Sequence, residues 1–165
     1  MNEAATPAAK DVLDHLQSKE ADLVAMLKTM TEAESPSDVP GAQHEIREII
    51  AGQFERLGYS VKRIPGHTSG GMLHARPADQ SQTRPTQLLL GHYDTVWPLG
   101  TLEDMPFEHD GDVVRGPGVY DMKGGVAQAL LAIETLQHFK IRPQVVPHIF
   151  LNSDEEVGSR ESRRY

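Results

Sequence analysis

The sequence has no cysteine, no excess of positive charge and no long apolar run, and each absence removes a class of function. Without cysteine there can be no disulfide framework, thiolate nucleophile or Cys-type zinc site, so a metal would have to be held by histidine and carboxylates. Lys and Arg total 16 against 24 Asp and Glu, for a net charge of -8. That balance lacks the basic face with which nucleic-acid binders neutralise phosphates. No window approaches the ~20 apolar residues of a membrane span. The opening "MNEAATPAAKDVLDHLQSKE" carries early acids and has neither the basic nor the apolar region of a secretory signal. A soluble, cytoplasmic protein that binds neither nucleic acid nor membrane is expected.

What is present fits one domain: 165 residues suffice for a real core. Val12, Leu13, Leu16, Leu23, Leu27 and Met30 recur at helical spacing, and the prolines of "SPSDVPG" from Ser35 end that helix. Ile46, Ile49, Ile50, Phe54 and Leu57 mark a second helix, stopped by Gly58, and "YSVKRI" then alternates like a strand. "GGMLHAR" and "TQLLLG" predict two more strands across the polar connection "PADQSQTRP". The acidic "LEDMPFEHDGD" reads mainly as solvated surface before a short strand, "VVR". Val126, Leu130, Ile133 and Leu136 predict a helix from Lys123 to Phe139, and "QVVPHIFLN" a closing strand. This alternation indicates an α/β domain with a largely parallel sheet, whose polar groups just past strand ends build sites.

Three motifs obey that rule: "GHYD" after one strand, "GPGVYDMKGG" entering a helix, and "NSDEEVGS" after another strand. In an extended backbone residues i and i+2 share a side, so His92 and Asp94 project together. If Asp94, Asp121, Glu155 and Glu156 converge, their repulsion disfavours ionisation unless cations sit among them. The donor set suits zinc, cobalt or manganese. Taken singly the groups have plainer readings: His92 as a hydrogen-bonded strand-end residue, Asp121 as a helix cap, "DEE" as a solvated turn. Nucleotide loops are disfavoured, because Asp121 stands where G-x-G-x-x-G needs glycine and "MKGG" lacks the P-loop spacing; there is no G-x-S-x-G. His15, His44 and His138 fall on predicted helices, and His67, His74, His109 and His148 have no ligand-like neighbours.

In this order the three motifs resemble those of the co-catalytic zinc hydrolases that include glutamate carboxypeptidase, acetylornithine deacetylase, succinyl-diaminopimelate desuccinylase and aminoacylase. The run from "HYDTV" through "PF", "GD" and "GPGVYDMKGG" is most similar to glutamate carboxypeptidase. The resemblance implies a zinc-exopeptidase-like, three-layer α/β domain with a largely parallel mixed sheet. It implies two Zn2+ ions, with Co2+ or Mn2+ as substitutes: His92 on one, Glu156 on the other, Asp121 bridging both. Glu155 would be the general base that takes a proton from the water between the metals as it attacks an amide carbonyl, and Asp94 would orient His92. A cis peptide between Asp121 and Met122 is also implied.

The implied substrate is a small peptide or N-acyl amino acid, cleaved next to a C-terminal residue such as glutamate, in a homodimeric enzyme. Deacetylation or desuccinylation of N-acyl amino acids is the alternative, and a non-catalytic remnant is another. Family members carry a further carboxylate and histidine and an inserted lid and dimerisation domain. On the resemblance, residues 1–165 are therefore expected to be the N-terminal part of the catalytic domain, inactive and weak in zinc binding by themselves.

Overall fold

A computed structural model describes residues 7–79 and 84–165. Two helices, α1 (Ala9–Ser18) and α2 (Glu20–Glu32), occupy the place of the single helix expected over Val12 to Met30; the chain breaks at Lys19, which leaves the helical conformation with ψ 2°. Helix α3 (Gln43–Arg56) buries Ile46, Ile50, Ala51 and Phe54 and ends at Gly58, whose φ of +75° is the left-handed conformation expected of a glycine stop. Strands β1 (Tyr59–Ile64), β2 (Met72–Pro77) and β3 (Thr86–His92) follow as predicted. The connection across 77–85 lies partly outside the described residues. Beyond β3 come a short helix, α4 (Thr101–Asp104), and an exposed hairpin of β4 (Glu108–Asp110) and β5 (Val113–Arg115), so part of the stretch expected as plain acidic surface is paired backbone. Helix α5 (Gly124–His138) and strand β6 (Val146–Asn152) complete the domain. After β6 comes one 3-10 turn, Ser162–Arg164.

The expected α/β class with a mixed sheet is present. Its order is β1-β2-β6-β3, with β1–β2 and β2–β6 antiparallel and β3–β6 parallel, so parallel pairing is confined to the pair that carries the motifs. One sheet face packs on the helices: Leu73, Ala75, Ile149 and Leu151 share a buried cluster with Met30, Ile50, Phe54, Val126 and Leu130. An apolar run such as "LLLG" suggests a strand buried on both faces, and the opposite face differs from that. Leu89 packs on the cluster, but Leu88 and Leu90 are 59% and 67% exposed, because among the described residues no element covers them. The third layer of the expected architecture thus has no counterpart among these residues.

Polar contacts hold the loops at one end of the sheet. Glu161 accepts the backbone N–H groups of His67, Thr68 and Ser69 at 2.6, 3.0 and 3.0 Å, and Asp154 accepts those of Glu161 and Ser162. Gln43, fully buried at the start of α3, donates to the carbonyls of Pro36 and Ser153 and accepts from the Gly70 N–H. Three loops are thereby tied together beneath the strand ends.

Two outcomes are expected. Ile149→Ala should cost ~2–5 kcal/mol in urea unfolding, as other large-to-small changes in cores do, whereas Leu90→Ala should stay within ~0.5 kcal/mol. Burial opposes ionisation of Glu161, but its backbone donors outweigh it and hold the carboxyl at about 2, below the ordinary 4.5. On acidification the unfolded chain takes up this proton before the folded one, so the stability Glu161 contributes is present above pH 4.5 and lost as the pH falls toward 2. Acid titrations of stability should show Glu161→Gln with a shallower decline than wild type across that interval.

Candidate metal centre

Parallel pairing sets the site. His92 pairs with Asn152 at the end of the β3–β6 ladder, so the segments after both strands leave the sheet side by side. Tyr93 turns into the core with no exposed surface and donates its hydroxyl to the Gly71 carbonyl at 2.8 Å. His92 and Asp94, on the other side of the backbone, are buried too. The Asp94 carboxylate accepts the backbone N–H of Glu155 at 3.3 Å and of Glu156 at 3.2 Å, joining the first motif to the third. His92 Nδ1 lies 3.1 Å from the main-chain oxygen of Asp94 and 3.3 Å from its Oδ1.

Asp121 arrives from the turn that opens α5. Gly118 starts it at φ +72°, where an added Cβ would fall 2.5 Å from a Thr95 methyl, so both conformation and space require glycine. The Asp121–Met122 peptide is cis, and Met122 places its sulfur 3.3 Å from the His92 N–H. Buried Lys123 anchors the turn by donating to the Ala33 carbonyl at 3.0 Å. Asp121 Oδ1 then sits 3.0 Å from His92 Nε2, and Glu155 Oε2 lies 3.9 Å from the same nitrogen.

His92, Asp121 and Glu156 each offer a donor atom, all within 4.8 Å of one another, the only such group of three among the described residues. The remaining histidines lie elsewhere: His15 stacks on His138 at 4.0 Å, and His74 and His148 approach each other to 5.7 Å. The electrostatics suit a cation. Burial, aided by the charges of Asp121, Asp94 and Glu155, pushes Glu156 above its ordinary value. Burial would lower His92, but hydrogen bonds to Asp94 and Asp121 prevail and raise it to about 9. Asp94 is held below the usual range: burial opposes this, while His92, Ser37 and the Glu156 N–H favour the anion. One imidazole nitrogen facing carboxylates, with the other nitrogen engaged by a buried carboxylate, is a donor set that fits a borderline divalent ion.

Residues 88–165 match the description Peptidase family M20/M25/M40. The chain is a relative of these peptidases. It is 41% identical over 121 residues to carboxypeptidase G2 of Pseudomonas sp. (strain RS-16), covering 70% of this chain and 28% of that protein. It is 31% identical over 121 residues to succinyl-diaminopimelate desuccinylase of Delftia acidovorans, covering 68% of this chain and 31% of that protein. The fold matches that of human carnosine dipeptidase 1 with a TM-score of 0.74 and 20% identity, over 92% of this chain and 36% of the other. The chain therefore spans about a third of the length of the proteins it matches. The resemblance stated from the three motifs holds.

Sequence reasoning missed Ser37, whose hydroxyl donates to Asp94 Oδ2 at 2.7 Å. The segment "SPSDVPG" attracted notice for its prolines, and a serine between them carries no periodic or spacing signal. Gln43 was missed for a related reason, as it shares a helix whose apolar stripe was the only legible feature.

Cation binding has to displace the proton from His92 Nε2. Divalent-ion affinity should therefore rise by about a factor of ten per pH unit between about pH 6 and 8, below the raised value of His92. Calorimetric titration with Zn2+ in buffers of differing ionisation enthalpy should show proton release, and His92→Ala should abolish that dependence.

Proposed function

We propose that these residues form part of the centre of a metal-dependent hydrolase that cleaves an amide or peptide bond next to a C-terminal amino acid. The observation that carries the reading is the meeting of His92, Asp121 and Glu156 with Glu155 beside them. The relationship to the M20/M25/M40 peptidases and the 41% identity to a carboxypeptidase support it.

His92 and Glu156 would each hold a divalent ion, with Asp121 between them, and zinc is the ion proposed. Such ions supply Lewis acidity toward a carbonyl oxygen and lower the pKa of water. Glu155 takes the proton from the attacking water and passes it to the departing amine. Its carboxylate side chain is about half exposed, and it is not one of the three converging donors. Asp94 keeps His92 in the orientation that directs Nε2 toward Asp121, and through the Glu155 and Glu156 N–H groups it fixes where the base stands. The substrate is a small N-acylated amino acid or peptide, with glutamate at the released end as the first choice. Release of an acyl group from an N-acyl amino acid is the second reading, supported by the desuccinylase among the relatives.

The test is made in an active enzyme that carries this segment, assayed on N-acylglutamate and N-succinyl amino acids. Glu155→Gln should lower kcat by at least ~10²-fold, as removal of a general base does, and keep its metal. Glu156→Ala should lose metal and activity together. A Glu155→Gln enzyme with full turnover, or one as metal-depleted as Glu156→Ala, would sink the assignment.

A further inference from the structure

We infer that Ser37 is a positioning residue for this centre, its hydroxyl fixing the rotation of the Asp94 carboxylate and so the grip of that carboxylate on the His92 ring. A carboxylate has about four acceptor sites on two oxygens. On Asp94 all are used. Oδ1 meets His92 Nδ1 at 3.3 Å and the Glu155 N–H at 3.3 Å, and Oδ2 meets the Glu156 N–H at 3.2 Å and the Ser37 hydroxyl at 2.7 Å. The hydroxyl contact is the shortest of the four and the only one short enough for a strong charge-assisted bond. The Thr95 carbonyl competes for the same proton at 3.2 Å, a longer contact to a neutral acceptor.

Ser37 is itself held. Its N–H donates to the Thr95 carbonyl at 3.1 Å, and the Thr95 N–H to the Ser35 carbonyl at 2.9 Å. Ser35 Oγ donates to the Tyr93 carbonyl at 2.7 Å, and Gln43 grips the Pro36 carbonyl at 3.0 Å. Residues 35–37 therefore lie along 93–95, and Ser37 meets Asp94 as part of that strap. Without the hydroxyl, Oδ2 keeps one long N–H bond. The carboxylate is then free to turn, and His92 Nδ1 falls back on the main-chain oxygen at 3.1 Å. Groups that orient a ligating imidazole in this way are typically worth about 10–100-fold in metal affinity.

The consequence for affinity rests on the metal reading proposed above, and the contact with Asp94 does not, so the test has two arms. Ser37→Ala and Ser37→Thr are made in the 165-residue chain. In metal-free protein the chemical shift of the His92 Nδ1–H proton is followed by NMR: it should lie far downfield, as for a proton shared with a carboxylate, in wild type and Ser37→Thr, and move upfield in Ser37→Ala as the main-chain oxygen becomes its acceptor. An unchanged shift in Ser37→Ala overturns the inference. In the second arm Co2+ is titrated: Ser37→Ala should bind about tenfold more weakly or worse, Ser37→Thr as wild type, with metal-free thermal unfolding unchanged among the three. Weakening shared by both variants, or matched by a fall in the metal-free midpoint, assigns Ser37 a structural role and overturns the inference. Should the 165-residue wild type bind too little Co2+ for comparison, the ring proton alone decides the role of Ser37, and the metal reading stands or falls with the Glu156→Ala enzyme above.

Discussion

The arrangement depends on one buried carboxylate. Asp94 has no exposed surface, and an unpaired charge there would be prohibitive, so its lone pairs must be met by donors fixed in place. Those donors come from three separate parts of the chain: the strap at Ser37, the end of β3 at His92, and the turn after β6 at Glu155 and Glu156. Each satisfies the same charge, so none can move without exposing it. A single desolvated anion thereby makes the strand-end loops cooperative, and no hydrophobic contact at that end of the sheet has comparable directionality.

Above this organised layer the electrostatics run the other way. Asp121 and Glu155 are largely exposed and Glu156 is partly so, and their charges oppose one another across a short distance. In the metal-free protein a protonated His92 ring would relieve this, with Nδ1 facing Asp94 and Nε2 facing Asp121, and those two contacts favour its protonated form. A divalent ion replaces that proton with a larger charge at the same place. The region therefore divides into a lower tier that is satisfied without metal and an upper tier that is not, which is the division expected when a scaffold is built before its ion arrives.

Much of this was legible in the sequence because it follows short-range rules. The i, i+2 relation of His92 and Asp94, the glycines around Asp121 and the paired glutamates after an apolar strand are local patterns, and all three meet where the parallel β3–β6 pair ends. The helices from Gln43 and Gly124 showed through their apolar stripes. What stayed hidden is long-range and polar. Ser37 and Asp94 are 57 residues apart, Gln43 and Ser153 are 110 apart, and Glu161 reaches back more than ninety residues to a loop. A side chain that satisfies a distant backbone group leaves no periodicity behind. The break at Lys19 escaped because the apolar spacing continues through it, and the exposure of Leu88 and Leu90 escaped because an apolar run does not say what covers it.

Tyr93 explains why the register at the site is not free to slip. The pleat that sends His92 and Asp94 to one side sends Tyr93 to the other, where its ring is fully buried and its hydroxyl reaches the Gly71 carbonyl. Ser153, after β6, donates to that same carbonyl at 2.8 Å. Moving the end of β3 by one residue would withdraw the Tyr93 ring from the core and present its bulk where His92 stands, while Asp94 would lose all of its donors. The apolar and polar halves of "HYD" thus enforce each other. Core packing fixes the residue between the two functional ones, and the bonds to Asp94 fix the backbone that lets the core close.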